Sequence, residues 1–445
     1  MQDVNTMTYT LKRASLSLAA ATLSALALAG CGSGNIIPVP TQIQGMALHG
    51  TVHGGQQPVF GATIQLYAVG TSGYGSAATP LIASTVKTLA DGSFSINSAY
   101  TCPSASAQVY LTATQGNPGF TNNPNLAMMA ALGSCGNLSS STFIFMDEVT
   151  TVGSVWALSP FMTGPANIGS TAANSTGIAN AFLDVNTLVN IAAGVAPGPA
   201  LPAGATVPSD EINTLADILA ACINSSGGIA GSGTNCGTLF SAANPGGTLG
   251  TAPADTITAA MNIAQNPALN ITSLFRLVQP SPPFQPVLST QPNDFTIAVN
   301  FTGGNLSAPS ALASDASGNV WTANAGGNTV TELSHAGSVL SGSGYVNSLN
   351  TPSAIAVDAS GGVWVANKGN NTVSKFTIAG TAAAAPYSGG GLNGPTGIAF
   401  DSFGNAWISN SGNASITEIN STGTTLSSYT PAGASTPLGI AVSPH

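Results

Sequence analysis

The 445-residue sequence predicts a multidomain chain: an N-terminal all-β sandwich, a small central α-helical domain and C-terminal β-propeller-type repeats amounting to about three to four blades. Three observations predict it. Residues 45–118 alternate apolar and polar positions between turn signals. Residues 119–283 place apolar residues at helical spacing. Residues 284–445 repeat themselves with a period of 43 residues, and a long fixed period is the mark of a repeat architecture.

The β-rich segment opens with Met46, Leu48 and Val52. A turn over Gly54–Ala62 leads into Thr63–Val69, where the alternation is clean, and Ser84–Lys87 gives a further strand. Ala90-Asp91-Gly92-Ser93 is a hairpin turn into Phe94-Ser95-Ile96, and Val109–Ala113 closes the set. This succession, Gly50-Thr51-Val52, then Gly-x-x-Pro-Val-x-Gly-Ala-x-Ile-x-Leu over residues 55–66, then Ala90–Ile96, resembles the carboxypeptidase regulatory-like (prealbumin-like) sandwich. The resemblance implies a spacer or adhesion module without catalytic residues. His49 and His53 share one face of the first strand, where two imidazoles without a third ligand make a solvated face rather than a metal site.

In the central segment Asp147–Leu158 carries a helix with its acids at the positive N-terminal end. Asp147 and Glu148 are adjacent and point about 100° apart on a helix, which suits a cap and not a catalytic pair. A second helix, about Thr176–Ala193, turns Ile178, Phe182, Val185 and Val189 inward. Ser209 caps a third, with Ile212, Leu215, Leu219 and Cys222 on one side. Pro253 and Pro267 are expected to open two more, the last burying Ile271, Leu274, Phe275 and Val278.

In the C-terminal segment Ala308–Trp321, Thr351–Trp364 and Gly394–Trp407 align. Asp315, Asp358 and Asp401 recur in register, as do Trp321, Trp364 and Trp407, and Asn324, Asn367 and Asn410. Each unit is a strand, an Asp/Gly turn, a Trp-bearing strand, an Asn/Gly turn, a third strand around Val330, Val373 or Ile416, and a weak fourth, which is the content of a propeller blade. The Asp side chain can accept backbone N–H groups in its turn, and Gly supplies positive φ. One carboxylate per turn is too few oxygens for Ca²⁺. The Trp residues are expected to pack between blades. The run Ile355–Asn367, I-A-V-D-A-S-G-G-V-W-V-A-N, resembles NHL-repeat propellers and their virginiamycin B lyase-like relatives.

Blade count is the difficulty. A fourth unit starts at Thr436, and Phe284–Leu288 with Phe295–Phe301 are expected to supply outer strands for a composite blade with residues 438–442. Since propellers have about four to eight blades, the expectation is a gene product that stops part-way round the ring and self-associates through what is left open.

The N-terminus points to export. Lys12 and Arg13 precede Ala14–Ala29, an uncharged apolar run too short to span a bilayer and suited to a signal h-region. Leu28-Ala29-Gly30-Cys31 resembles the lipobox of bacterial lipoproteins, so residues 1–30 would be the signal peptide, Cys31 the lipidated residue and 31–44 a tether. Gly32 after the cysteine, rather than Asp, implies by the same resemblance sorting to the outer membrane, on its periplasmic or outer face. The four remaining cysteines are expected to pair as Cys102–Cys135 and Cys222–Cys236, since an exported chain meets oxidising conditions and no His lies near either pair to make a zinc site.

Six basic against 15 acidic residues, net −9, cannot supply the phosphate contacts of a nucleic-acid binder. No cofactor, metal site or catalytic constellation is predicted. A lipid-anchored, non-enzymatic scaffold or binding protein with a protein or glycan partner is the leading expectation. A propeller lyase or lactonase needs His and acidic residues at the ring mouth, where the repeats offer only His335 and His445, the three turn Asp residues, Glu332, Glu418 and Asp294. A carbohydrate-binding surface protein would need exposed aromatic residues on the loops, for which Tyr345 and Tyr387 are the candidates.

Overall fold

The computed structural model describes residues 41–119, 121–247, 250–433 and 435–443; the signal segment, Cys31, the tether up to residue 40 and His445 lie outside them. The described chain is mostly β, with several separate sheets and six α-helices among the described residues. No helix there is long and apolar enough to cross a membrane.

The sandwich forms as the alternation requires. Leu48–Gly54 buries Leu48 and Val52 and turns His49 and His53 the other way, against Phe143 and Phe145. Thr63–Ala68 buries Ile64, Leu66 and Ala68. One sheet runs Ala127–Ser134, Gln108–Thr114, Thr63–Ala68 and Thr79–Pro80, with Val86–Lys87 also on Thr63–Ala68; the other sets Leu48–Gly54 between Phe143–Met146 and Ser93–Ile96. The expected boundary at 118 is therefore corrected, because two strands of this sandwich, Ala127–Ser134 and Phe143–Met146, lie beyond it.

Nor do residues 119–283 build a helical domain with a core of its own. The helices are α1 (Glu148–Leu158), α2 (Ser175–Leu188), α3 (Ser209–Ile223), α4 (Asn235–Ala242), α5 (Thr256–Gln265) and α6 (Ile271–Phe275). Their apolar faces join the sandwich in one continuous core running from Leu48 to Phe295. The join is chemical as well as apolar. Ala127–Ser134 is the last strand of its sheet, and its free amides are met by hydroxyls: Thr256 Oγ1 accepts from Ala127 N (2.9 Å), Thr151 Oγ1 from Met129 N (3.1 Å) and Ser154 Oγ from Ala131 N (3.0 Å). Covering an edge this way satisfies donors that burial would otherwise strand.

Asp147 caps α1, accepting from Thr150 N (2.8 Å) while Thr150 Oγ1 accepts from Asp147 N (2.9 Å), as the cap expectation has it. Other ends differ from expectation. α2 stops at Leu188, since Val189 is extended and Asn190 starts a turn. α5 is opened by Asp255, not Pro253, and α6 by Asn270, not Pro267. The unforeseen α4 is capped by Thr234 and held to α3 by Cys222–Cys236; Cys102–Cys135 is the second disulfide.

A knot of buried acid sits where α1, α3 and the Gly54–Gly55 turn meet. Gly55 N donates to both Glu148 oxygens (3.0 and 2.9 Å) and Phe284 N to Asp217 Oδ1 (3.1 Å), whereas Asp217 Oδ2 and Asn224 Oδ1 have no partner among the described residues. Burial pushes Asp147 and Asp217 up to about 7 and Glu148 well above the usual carboxylate range. Between the unfolded carboxyl range near ~4 and these values the folded chain holds protons that the unfolded chain has released, so stability is greatest at the acid end of that window and falls as pH rises through 7. Thermal unfolding should therefore occur at a higher temperature near pH 5 than near pH 8, and Asp217→Asn should flatten the difference. A melting temperature that rises from pH 5 to pH 8 contradicts the assignment.

The repeats form three antiparallel sheets in chain order: Pro309–Ser314, Val320–Asn324, Thr329–Leu333; then Pro352–Val357, Val363–Asn367, Thr372–Phe376, Tyr387–Ser388; then Pro395–Phe400, Ala406–Asn410, Ser415–Ile419, Thr425–Tyr429. Hydroxyls join each first strand to the start of the next unit: Ser310 Oγ donates to Pro352 O (2.6 Å), Ser353 Oγ to Pro395 O (2.6 Å) and Thr396 Oγ1 to Pro437 O (2.8 Å). A second link, Asn328 Oδ1 accepting from Thr351 N and Asn371 Oδ1 from Gly394 N (both 2.7 Å), has no third copy because Ala414 stands at that position.

The composite fourth blade is a correction. Residues 284–288 are not a strand. Phe284 is tied to Asp217, Asn213 Nδ2 donates to Pro286 O (2.9 Å), and Leu288 N donates to Thr214 Oγ1 (2.9 Å), so this segment is irregular chain bound to α3. Asn300–Phe301 pairs with Ala205–Thr206, outside the blades, and residues 438–442 pair with neither segment. Gln285, Pro286, Gln291 and Pro292 interrupt residues 284–292, whereas Phe295, Ile297, Val299 and Phe301 do alternate, and of that stretch only Asn300–Phe301 is paired.

Candidate binding surface: the blade array and the cleft beside it

The repeated Asp, Trp and Asn residues come together within each blade. Asp358 Oδ1 accepts from Ser360 N (2.9 Å), Ser360 Oγ (2.6 Å) and Gly362 N (2.8 Å), while Oδ2 accepts from Trp364 Nε1 (2.8 Å). Asp315 takes Ser317 N, Asn319 N and Trp321 Nε1 (2.8, 2.9 and 3.3 Å), and Asp401 takes Phe403 N, Asn405 N and Trp407 Nε1 (3.0, 2.8 and 3.0 Å). Gly318, Gly361 and Gly404 carry the positive φ of the turn. Burial alone would raise the Asp358 carboxyl; donors from Ser360, Trp364, Gly362 and Lys375 outweigh it and hold the group at about 2. Asn324, Asn367 and Asn410 donate across to the third strand, to Thr331 Oγ1, Ser374 Oγ and Thr417 Oγ1, each at 2.9 Å.

Each Trp faces forward in the chain. Trp321 packs with Ile355, Val363 and Phe376 of the second blade, and Trp364 with Ala406, Ile408 and Ile419 of the third; both are fully buried. Among the described residues no fourth sheet lies in front of Trp407, which is half-buried. Tyr345 and Tyr387, offered as exposed platforms, instead lie over Trp321 and Trp364 at 5.5 and 5.3 Å between ring centroids, and Tyr345 donates to Glu332 (2.8 Å). The more exposed apolar residues of the repeats include Phe403 (88% exposed) at the tip of the third Asp turn, Leu438, Val346 and Leu312.

One charge position varies in a chemically consistent way. Residue 332, 375 or 418 faces the turn Asp from the third strand, and it is Glu, Lys and Glu in the three blades. Where it is Glu, the turn carries Asn319 or Asn405, whose amide donates to both carboxylates: to Asp315 (3.0 Å) and Glu332 (3.3 Å), and to Asp401 and Glu418 (both 3.1 Å). Where it is Lys375, the ammonium meets Asp358 directly at 3.2 Å and lies over the Trp364 ring at 4.5 Å. The turn residue there is Gly362, where an added Cβ would come within 2.6 Å of the lysine chain.

A cleft of about 370 Å³ opens between α1, α2 and the first blade, with Trp156, Asp184, Thr187, Phe301 and His335 in its wall. Burial raises the Asp184 carboxyl to about 6, with His335 pulling it back down. Thr187 is 3% exposed, and its hydroxyl has no hydrogen-bond partner among the described residues. None of these five residues stands in a motif that marks a site in the sequence. Trp156 lies on α1, Asp184 and Thr187 on α2 and Phe301 ahead of the first blade, and only His335 carried a signal, as the one described histidine of the repeat region.

The NHL repeat family pattern matches residues 349–376, which span the second blade's first three strands. No curated protein matches the chain. Among solved structures, a streptogramin B lyase is similar at 21% identity and TM-score 0.28, over 31% of this chain and 45% of that one. Virginiamycin B lyase from Staphylococcus aureus is similar at 20% identity and TM-score 0.30, over 33% and 50%. A nidogen/laminin complex is similar at 16% identity and TM-score 0.29, over 33% and 56%. The chain thus spans about half the length of the lyase structures it matches.

Proposed function

We propose that this chain is a lipid-anchored, non-enzymatic binding or scaffold protein that meets a protein or glycan partner through its repeats. One observation carries the reading. The repeated carboxylates, indoles and amides are consumed in bonds within their own blade, so the repeating residues build a frame, and the residues left free on it are the ones that differ between blades. At one turn position the blades carry Ser317, Ser360 and then the exposed Phe403. Variable side chains on a rigid repeat are what a recognition surface needs. Cys31 would hold the chain at the outer membrane, since several acyl chains on one residue anchor firmly where a single one does not.

The anchor is tested by Cys31→Ala, which is expected to abolish incorporation of a fatty-acid probe and to release the protein from the membrane fraction; a labelled variant overturns it. The binding reading is tested by photo-cross-linking the full chain to outer-membrane material from probes at the blade turns. Cross-links that concentrate there and fall in Phe403→Ser are expected. Chemical conversion of quinupristin by the purified chain would overturn the non-enzymatic reading in favour of a lyase.

A further inference from the structure

The repeat period reproduces the wall of a socket as well as the bonds inside a blade. Trp321 is buried with Leu349, Ile355, Val363 and Phe376, and Trp364 with Leu392, Ala406 and Ile419, Ile398 lying at the margin. One repeat earlier the same positions are Leu306, Leu312, Val320 and Leu333 of the first blade, apolar in every case. Among the described residues no blade precedes the first to supply a Trp, and these four side chains line an open groove of about 600 Å³. Exposure follows occupancy. Ile355 is 7% exposed beneath Trp321, whereas Leu312, its counterpart one repeat earlier, is 67% exposed.

The outer part of a preceding blade is nevertheless present. Tyr345 lies against Gly380 and Tyr387 against Gly423, each beside the Trp of its own blade at 5.5 and 5.3 Å. Phe301 lies against Gly337 in the same way. It pairs with Ala205 as Tyr387 pairs with Val373 and Tyr429 with Ile416. Just after it Gly304 O accepts from Thr331 Oγ1, as Asn347 O accepts from Ser374 Oγ (2.7 Å) and Gly390 O from Thr417 Oγ1 (3.2 Å). Residues 301–306 thus follow the path of a blade's fourth strand and the loop after it, and Ala205 stands in for the third strand. What this place lacks is the indole.

We infer that the groove of the first blade takes the tryptophan side chain of a protein partner, the indole seated on Leu312, Val320 and Leu333 with a face toward Phe301. The inference rests on the binding-protein reading above and narrows the partner to a protein. Twice in this chain the same positions hold an indole, and covering that apolar surface is favourable whichever chain the indole comes from. In both filled sockets the indole N–H is met by an Asp of the Trp's own blade and not by the socket. Leu306, Leu312, Val320 and Leu333 have no side-chain acceptor to give. The occupant must therefore bring its own acceptor, as a tryptophan carried on a polypeptide can. A second copy of this chain fits poorly. Its Trp407 carries Tyr429 stacked at 5.8 Å, and seating it as Trp364 is seated would put that phenol over Gly337, where Phe301 already lies.

The test is saturation-transfer NMR and calorimetry on the full chain with N-acetyl-L-tryptophanamide, compared with N-acetyl-L-leucinamide and free indole, and light scattering for self-association. The tryptophan amide is expected to bind saturably at millimolar concentration through its ring protons, and the leucine amide roughly tenfold more weakly. Leu312→Glu should weaken the tryptophan amide by roughly tenfold with the melting temperature unchanged, since Leu312 is exposed. Leu312→Met should bind as the parent does. No binding of the tryptophan amide overturns the inference, as does equal binding of the leucine amide, or binding that Leu312→Glu leaves intact. Uptake of indole with exclusion of the amide overturns it in favour of a small aromatic ligand. A dimer lost in both Leu312→Glu and Trp407→Ala overturns it in favour of a second copy. Failure of the amide to bind with cross-linking at the blade turns preserved sinks this inference alone, whereas failure of both overturns the binding-protein reading.

Discussion

Trp364→Ala is expected to destabilise the second and third blades by about 3–5 kcal/mol, the range for removing a large buried aromatic. The ring is fully buried in the wedge between the two sheets, with Tyr387 at 5.3 Å and Phe400 edge-on at 5.8 Å. Its loss leaves a cavity that the β-ladders on either side cannot collapse to fill. It also takes the 2.8 Å indole donor from Asp358 and the aromatic face from Lys375. Trp407→Ala deletes the same residue from the same place in the third blade, where no following sheet covers it, and should cost distinctly less. Hydrogen exchange of Val363–Asn367 and Ala406–Asn410 reads the effect locally, which matters in a long chain whose parts need not unfold together. Equal loss of protection in the two variants would mean that the indoles act within their own blade and not between blades.

The contrast between those two tryptophans also shows what was legible in the sequence. Asp, Trp and Asn recur at fixed spacing because each blade repeats one set of internal bonds, so the period exposes the architecture without any knowledge of packing. The sandwich showed itself only where one face is wet. Thr63–Ala68 alternates and was legible, but Ala127–Ser134 begins with five consecutive buried residues because its second face and its edge are covered by helices, and no period survives there. Phe143–Met146 runs parallel to Leu48–Gly54, almost a hundred residues earlier in the chain, a pairing that no local turn announces. Apolar residues at 284–288 suggested a strand and proved to be irregular chain held on α3 by Asp217 and Thr214, while of 295–301 only Asn300–Phe301 joins a ladder. The cleft was invisible for a similar reason: Trp156, Asp184, Phe301 and His335 meet only once α1, α2 and the first blade are side by side. On α2 the helical spacing identified Phe182 and Val185 as inward and gave no reason to single out Asp184 between them.

Lys375→Glu should be about as damaging as the loss of Trp364, and it should be repairable. Lys375 and Asp358 are both largely shielded from water and 3.2 Å apart, the only ion pair among the described residues. Removing one member of a buried pair typically costs about 3–5 kcal/mol, because the other is left without its counter-charge. Glu in its place adds a like charge beside a carboxylate held at about 2 by its donors. The first and third blades already tolerate a Glu there, and the difference lies in the turn. Asn319 and Asn405 each give one amide to both carboxylates, whereas Gly362 has no side chain to give. Lys375→Glu combined with Gly362→Asn should therefore recover most of the lost stability. Gly362→Asn alone should destabilise, since its Cβ would meet Asp358 Oδ2 at 2.5 Å and the Lys375 chain at 2.6 Å. Two changes that are each harmful and together nearly neutral give a coupling energy about as large as the two losses added, more than about 3 kcal/mol and so beyond the usual range for contacting residues. Denaturant unfolding of the four proteins, followed by exchange at Val363–Asn367, measures it. Strict additivity of the two losses would show that the Asn bridge is incidental to the blades that carry it, and that the Glu–Asn and Lys–Gly pairings are unrelated facts of the sequence.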